Sequence, residues 1–390
     1  MNFKTFEQSF DEPKCIKTYR KQAFKVFEKS KEPTFKHGLN ISLRPQSPLT
    51  DLHPNTHPKA EINIETNNEQ GIRFFQGRDI GKTEKEGENR IKLFTTKDWT
   101  IPKEAEKLYT FNQAFTNNFL LLHITKEVKK PIIITMKANE GPVNSTLFIH
   151  AEKNTKATIL LRKEGTANYV GEETRILAES NAQITFASLQ TLSEKTIQVI
   201  SRQAITKNDA TVNFVDASLG SQFTKANITT NLEGQGSSST NTAVYLAKNK
   251  QRLDLTTDSI HVGKNTSSKI VTKGVINDQA KALSRGLVKI NKNASESNGY
   301  ETQDALLLSD KAEADAIPNL EIHNPDVKCS HGSTVGQIDK EIVFYLMSRG
   351  LTKKQAVQKI VEGYFTPIYS KFKDEQLAEK IQKAVVEAMA

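Results

Sequence analysis

Asparagine recurs at Asn154, Asn181 and Asn208, each time 27 residues on and in a related setting: AEKNTKATIL, AESNAQITF and ITKNDATVNF. A period of this size restricts a chain more tightly than its composition does. It implies one supersecondary unit repeated, whose inner face is buried only against the units before and after it, as in a solenoid. The runs around the repeat are of β type. NFLLLHIT, KPIIITM, STLFIHA, ATILLRK, AQITFASL, IQVISRQAI, ATVNFVDASL and KANITTNL each alternate apolar and polar residues or form a short apolar burst, separated by small or turn-forming residues. A β-sandwich also uses many short strands. The near-constant period and the length of the run favour a mainly β chain with a parallel β-helix core over residues 116–336.

The flanks follow another rhythm. In EPKCIKTYRKQAFKVFEKS, Ile16, Tyr19, Ala23, Val26 and Phe27 recur at helical spacing, so residues 1–30 are expected to be helical and to stop near Pro33. From there to residue 115, Pro45, Pro48, Pro54, Pro58 and the charged stretch KTEKEGENR predict loops and short irregular elements, completing an N-terminal region over 1–115. Residues 337–390 form a C-terminal helical domain. Asp339 can cap the helix KEIVFYLMSR, and Gly350 can end it in the left-handed conformation. Thr352 and Gln355 form a capping box for a second helix with the stripe Ala356, Val357, Ile360 and Val361. After Pro367 a third helix would carry Leu377, Ile381, Val385 and Ala388. Such helices are expected to close the solenoid, whose last rung would otherwise present an unpaired strand edge.

Composition narrows the function classes. Lys plus Arg exceed Asp plus Glu by 54 to 45, a net charge of +9, but the lysines are spread along the chain without an arginine-rich tract. That pattern reads as a solvated surface and not as a nucleic-acid face. The apolar stretches are far shorter than the roughly 20 residues a membrane helix needs. Five glycosylation sequons, at Asn40, Asn144, Asn227, Asn265 and Asn293, carry no weight without a secretion signal, and MNFKTFEQSFDEPK has no apolar core of that kind. Two cysteines fit a reducing compartment, so the cytoplasm is expected. Neither a GxxxxGK[ST] phosphate loop nor a GxSxG, HExxH or CxxC motif occurs.

One segment, NLEIHNPDVKCSHGSTVGQID, stands apart. On an extended strand, residues two apart share a face, so Val327, Cys329 and His331 project together, opposite Asp326, Lys328 and Ser330. A thiol and an imidazole side by side could bind a borderline metal. They could equally be a packed small hydrophobe and a hydrogen-bonded histidine, or a nucleophile and its base. An iron–sulfur cluster wants four ligands, mostly thiolates. The other cysteine, Cys15, is far away in the N-terminal helix, so the remaining ligands would have to come from a partner.

Here the chain resembles the SufB/SufD family of iron–sulfur cluster assembly proteins. DVKCSHGSTVGQID, EIVFYLMSRGL and the Ala356 to Phe365 helix are similar to the family's C-terminal signature. HVGKNTSSKIVTKGVI and DALLLSDKAEADAIPNLEI look like family segments, and EPKCIKTYRKQAFKVF is similar in pattern to the start of SufD chains. SufB-like chains carry a cysteine in the turn before the PNLEI-like strand and a glutamate directly after the histidine. Ala312 and Gly332 stand there in this chain, so the resemblance is to the SufD branch. It implies a right-handed parallel β-helix that pairs end to end with SufB, with a SufC ATPase on the C-terminal helices. It implies also a transient iron–sulfur cluster shared with SufB, with His331 as a ligand and Cys329 in a weaker role. Phe344, Tyr345, Arg349, Gly350, Ala356, Gly363 and Phe365 would then form the SufC-binding region. No catalysis and no cofactor of its own are implied for this chain. Flavin belongs, if anywhere, to the whole complex, and a homodimer in isolation is left open. Two rival classes are an adaptor that holds SufB and SufC without giving a ligand, and a β-helix enzyme acting on polysaccharides. The absent secretion signal and the lack of repeated acidic positions weigh against the enzyme.

Overall fold

Alternation of apolar and polar residues lets each strand bury one face, and stacking such strands in parallel turns the buried faces into a continuous interior. The computed structural model describes residues 3–10, 12–31, 59–66, 70–76, 85–96, 99, 106–369 and 375–389. Its strands form two nine-stranded sheets. The first holds β1 (Lys59–Glu65), β4 (Ile132–Glu140), β6 (Lys156–Gly165), β8 (Gln183–Leu192), β10 (Thr211–Ser218), β12 (Ser238–Ala247), β14 (Ser267–Ile276), β16 (Ser297–Leu307) and β18 (Val327–Gln337). The second holds β2 (Ile72–Gln76), β3 (Asn118–Ile124), β5 (Pro142–Ala151), β7 (Tyr169–Ala178), β9 (Ile197–Thr206), β11 (Phe223–Leu232), β13 (Arg252–His261), β15 (Lys281–Ile290) and β17 (Glu313–Ile322). From β3 onward successive strands alternate between the sheets, which makes a β-solenoid of about eight turns. Pairing is parallel except at the start, where β1 and β2 lie antiparallel to β4 and β3.

One corner of six successive turns is held by a residue at positive φ: Asn154, Asn181, Asp209, Gly236, Asn265 and Glu296. Asparagine and aspartate tolerate this left-handed conformation because their short side chains bond locally. The repeat is therefore real, but its third member is Asp209 and not Asn208, whose Oδ1 accepts the Gln235 N–H at 3.2 Å. Inside, Leu122, Ile134, Ile149, Ile159, Ile176, Ile184, Phe186 and Phe214 pack in register. A buried ionic group interrupts them. Glu172 of β7 pairs with Lys163 of β6 and with Arg202 of β9, whose Nε lies 2.5 Å from Glu172 Oε1, and Arg202 pairs onward with Asp216 of β10. Burial alone would raise the Glu172 carboxyl, but the Arg202 and Lys163 charges overcome it and hold the group well below the usual carboxylate range.

Helices clad both walls. α1 (Phe3–Gln8), α2 (Lys14–Lys29), α3 (Lys85–Leu93) and α4 (Glu106–Ala114) cover the outer face of the second sheet. Ile16, Tyr19, Ile91 and Phe94 there meet Phe119, Leu121 and Phe148. The N-terminal stretch read as irregular thus contains α3, from the charged KTEKEGENR run, together with α4 and the capping strands β1 and β2. Pro33, Pro45, Pro48, Pro54 and Pro58 lie outside the described residues.

The C-terminal helices α5 (Lys340–Ser348), α6 (Lys353–Tyr369) and α7 (Glu375–Met389) do not close the last rung as expected. Val361 and Phe365 of α6 and Ile381 and Val385 of α7 pack instead on Leu160, Ala187, Val215, Val244 and Val271, the outer face of the first sheet. The apolar stripe finds an apolar wall there, and each large side chain buried on it contributes about 1.5–3 kcal/mol. The edge of β18 stays exposed. α6 also runs through Pro367 before it ends, and the side chains of Leu377 and Ala388 lie outside the described residues.

Candidate functional site at the open rung

β18 pairs with β16 so that Val327, Cys329, His331, Ser333 and Val335 stand over Ser297, Gly299, Glu301, Gln303 and Ala305. In β16 that alternate face is the buried one. In β18 the same face has no following strand to cover it, so His331 is exposed and Cys329 only half-buried. The column that ends in His331 runs inward through Glu301, Ile270, Asn241, Phe214, Phe186, Ile159 and Ile132.

Cys329 packs against the cluster of Ile270, Val288, Ile290 and Ala294, alongside Leu320 and Val327. Gly299 makes room for it, since a Cβ there would stand 3.0 Å from Sγ. Burial pushes the thiol's pKa up and the nearby Glu301 charge adds to this, so Cys329 is held as a neutral, packed thiol. Sequence reasoning did not single out Glu301. Its side chain is buried; Gln303 donates an amide N–H to Oε1, and Ser284 Oγ donates to Gln303 Oε1 at 2.5 Å. Burial, with the Asp258 charge adding, pushes this carboxyl up to about 7 against the hydrogen bonds from Gln303 and the Asn319 backbone. In GYETQDALLL an acid reads as solvent-facing. Only the register, with Glu301 midway between Gly299 and Gln303, places it inside.

Among the described residues no three carboxylate, thiol or imidazole groups converge on a point where they could hold a metal ion. His323 and Glu321, which pair at 3.0 Å, stay outside the site; Glu321 also takes Lys289 at 2.8 Å. Gly332 has open space where a Cβ would stand, so sterics do not require glycine there. Ala312 is buried in the turn before β17.

The remaining predicted residues divide in two. Asp339 Oδ1 accepts the Glu341 N–H at 2.8 Å and so caps α5. Gly350 sits at φ +94°, and the Gln355 N–H donates to Thr352 Oγ1 at 3.2 Å while Gln355 Oε1 takes the Thr352 N–H at 2.8 Å. This frame presents Phe344 and Tyr345, 72% and 55% exposed, beside Ile342 and Met347. The Arg349 guanidinium stacks over the Tyr345 ring at 5.2 Å. Gly350 and Gly363 are also exposed. Ala356 and Phe365, by contrast, are wholly buried against this chain's own core. Phe365 belongs to the cluster that packs α6 on the first sheet.

The chain is a β-solenoid clad by helices on both walls, with β18 an exposed edge strand at its C-terminal end. The chain belongs to the SufBD family, for its residues 133–364 match the SUF system FeS cluster assembly SufBD core domain. It is 29% identical over 205 residues to the iron–sulfur cluster assembly protein SufD of Bacillus subtilis, covering 52% of this chain and 47% of that one. It is also 29% identical over 182 residues to SufB of the same organism, covering 47% of this chain and 39% of that protein. A SufBD family protein of Mycobacterium tuberculosis is 31% identical over 187 residues, 48% of this chain and 22% of that one. The chain thus spans less than half the length of each of these relatives.

Proposed function

We propose that this chain is a SufD-type subunit of the SUF scaffold, which pairs through its open rung with a SufB-type chain and carries a SufC-type ATPase on α5 and the start of α6. The observation that supports this most is His331, exposed on the inward face of an unpaired edge strand. A second rung laid against β18 would bring the partner's donors to that imidazole without moving the rest of the fold. The iron–sulfur cluster is then cargo assembled across the seam. With Cys329 packed away, this chain offers one good donor, and a site with few thiolates lets its cluster go more readily than a closed four-cysteine cage. The two free cysteines fit a reducing compartment such as the cytoplasm. Among the described residues no helix is long and apolar enough to cross a membrane. No step is assigned to flavin.

The experiment is His331→Ala in the complex co-expressed with SufB-type and SufC-type chains, reconstituted anaerobically. The complex should still assemble but lose iron and acid-labile sulfide. Normal cluster content in the variant would leave this chain as an adaptor that contributes no ligand.

A further inference from the structure

Glu301 stands one strand inside His331 in the same inward column, and the fold treats its two oxygens differently. Oε1 accepts the Gln303 amide N–H and lies over Gly286, where a Cβ would overlap it. The Asn319 backbone N–H, on β17, also reaches this carboxyl. Oε2 is buried and has no hydrogen-bond partner. A buried acceptor left unmade bears its full desolvation cost, and native folds keep few such atoms without a use for them. Neighbouring strands are about 4.8 Å apart, so the residue directly above is within reach of a glutamate. That residue is His331. Cys329 feels the same charge, but its sulfur is turned against Gly299, and an S–H is a weak donor.

We infer that Glu301 is a positioning residue for His331: its unpaired oxygen accepts one ring N–H and leaves the other ring nitrogen, lone pair outward, for whatever crosses the open edge. The inference rests on the reading of His331 as the donor given to the seam. A ligating histidine generally hands its second ring N–H to a carboxylate, which sets the tautomer and makes the ligating nitrogen more basic. Glu301 would do this from within the rung once the exposed His331 ring turns inward onto Oε2.

The test is Glu301→Gln in the full chain labelled with [15N]histidine, read by NMR at a pH where the ring is neutral. The His331 signals are assigned by their loss in His331→Ala. The Gln303 amide N–H keeps an oxygen at the Oε1 place, so the new amide NH2 takes the place of Oε2 and donates instead of accepting. The ring must then accept with the nitrogen that donated before. The expected result is a switch in which ring nitrogen is protonated, with thermal unfolding nearly unchanged because the replacement is isosteric. The same tautomer in both proteins overturns the inference, and so does an even mixture in the wild type. In the assembled complex, Fe(II) binding by Glu301→Gln should weaken by about 10–100-fold; unchanged binding also counts against it. Normal iron loading by the His331→Ala complex would instead sink the donor reading, while the tautomer result would stand or fall separately.

Discussion

Replacing Glu172 by glutamine removes one charge from a group of four inside the solenoid. Lys163, Glu172 and Arg202 are at most 1% exposed, and two cations are balanced there by two carboxylates, Glu172 and Asp216. Glu172→Gln leaves Lys163 and Arg202 facing Asp216 alone, so one buried cation has no counter-charge. Breaking a buried pair in this way costs about 3–5 kcal/mol. If the loss arises from the uncompensated cation, then Lys163→Met added to Glu172→Gln should recover at least half of it, because Arg202 and Asp216 remain balanced. The assay is urea unfolding at pH 7, followed by circular dichroism and by the fluorescence of the single tryptophan, Trp99, which packs against Phe94 beside the first rungs. Salt should change the difference little, since buried pairs are only weakly screened. A loss below about 1 kcal/mol, against the 3–5 expected of a broken buried pair, would refute the reasoning, as would a double variant no more stable than the single one.

Other perturbations test separate parts of the fold. His261 is fully buried between Thr266 Oγ1 at 2.7 Å and Ser268 Oγ at 2.8 Å, and burial lowers its pKa to about 4. Its neutral ring contributes stability that is complete above the unfolded value near 6.5 and is lost as pH falls toward 4, in all about 3 kcal/mol; urea midpoints at pH 7 and pH 4.5 should differ less in His261→Gln than in the wild type. Phe344→Ser combined with Tyr345→Ser should abolish capture of the ATPase partner in a pull-down while shifting stability by less than about 0.5 kcal/mol, as exposed positions do. Deleting residues 339–390 would be a poorer probe, because it strips Val361, Phe365, Ile381 and Val385 from the wall they cover. Gly274→Ala would drive a Cβ into the buried Tyr245 ring, so its melting temperature should fall in line with an overpacking cost of about 1–3 kcal/mol; an unchanged melting curve would mean that the ring can tilt aside.

The solenoid was legible because its corner residues repeat and its strands alternate. The alternation also placed Cys329 and His331 on one face, since side-chain period is a local property. What escaped depended on neighbours distant in sequence. YVGEETRILA, which is β7, hides a strand behind three charged residues, and the counter-charges of Glu172 come from β6 and β9. Glu301 is inward only by register. The C-terminal stripe showed which face α6 and α7 bury but not on which wall, and an apolar face carries no address until the sheets exist. β1 and β2 were missed because each is short and pairs only antiparallel with a first-rung strand.

Parallel stacking gives the coil a direction, so its two extremities are unlike. Antiparallel strands β1 and β2 edge the sheets at the beginning and parallel strands β17 and β18 at the finish, so the two ends offer ladders of different pattern. A body that mates through one of two unlike ends can join one other such body and is then saturated. Growth into a fibre would need a second complementary surface to pass the contact along. Exposure of an edge strand is ordinarily an aggregation hazard, and unlike ends narrow the contacts that such an edge can make.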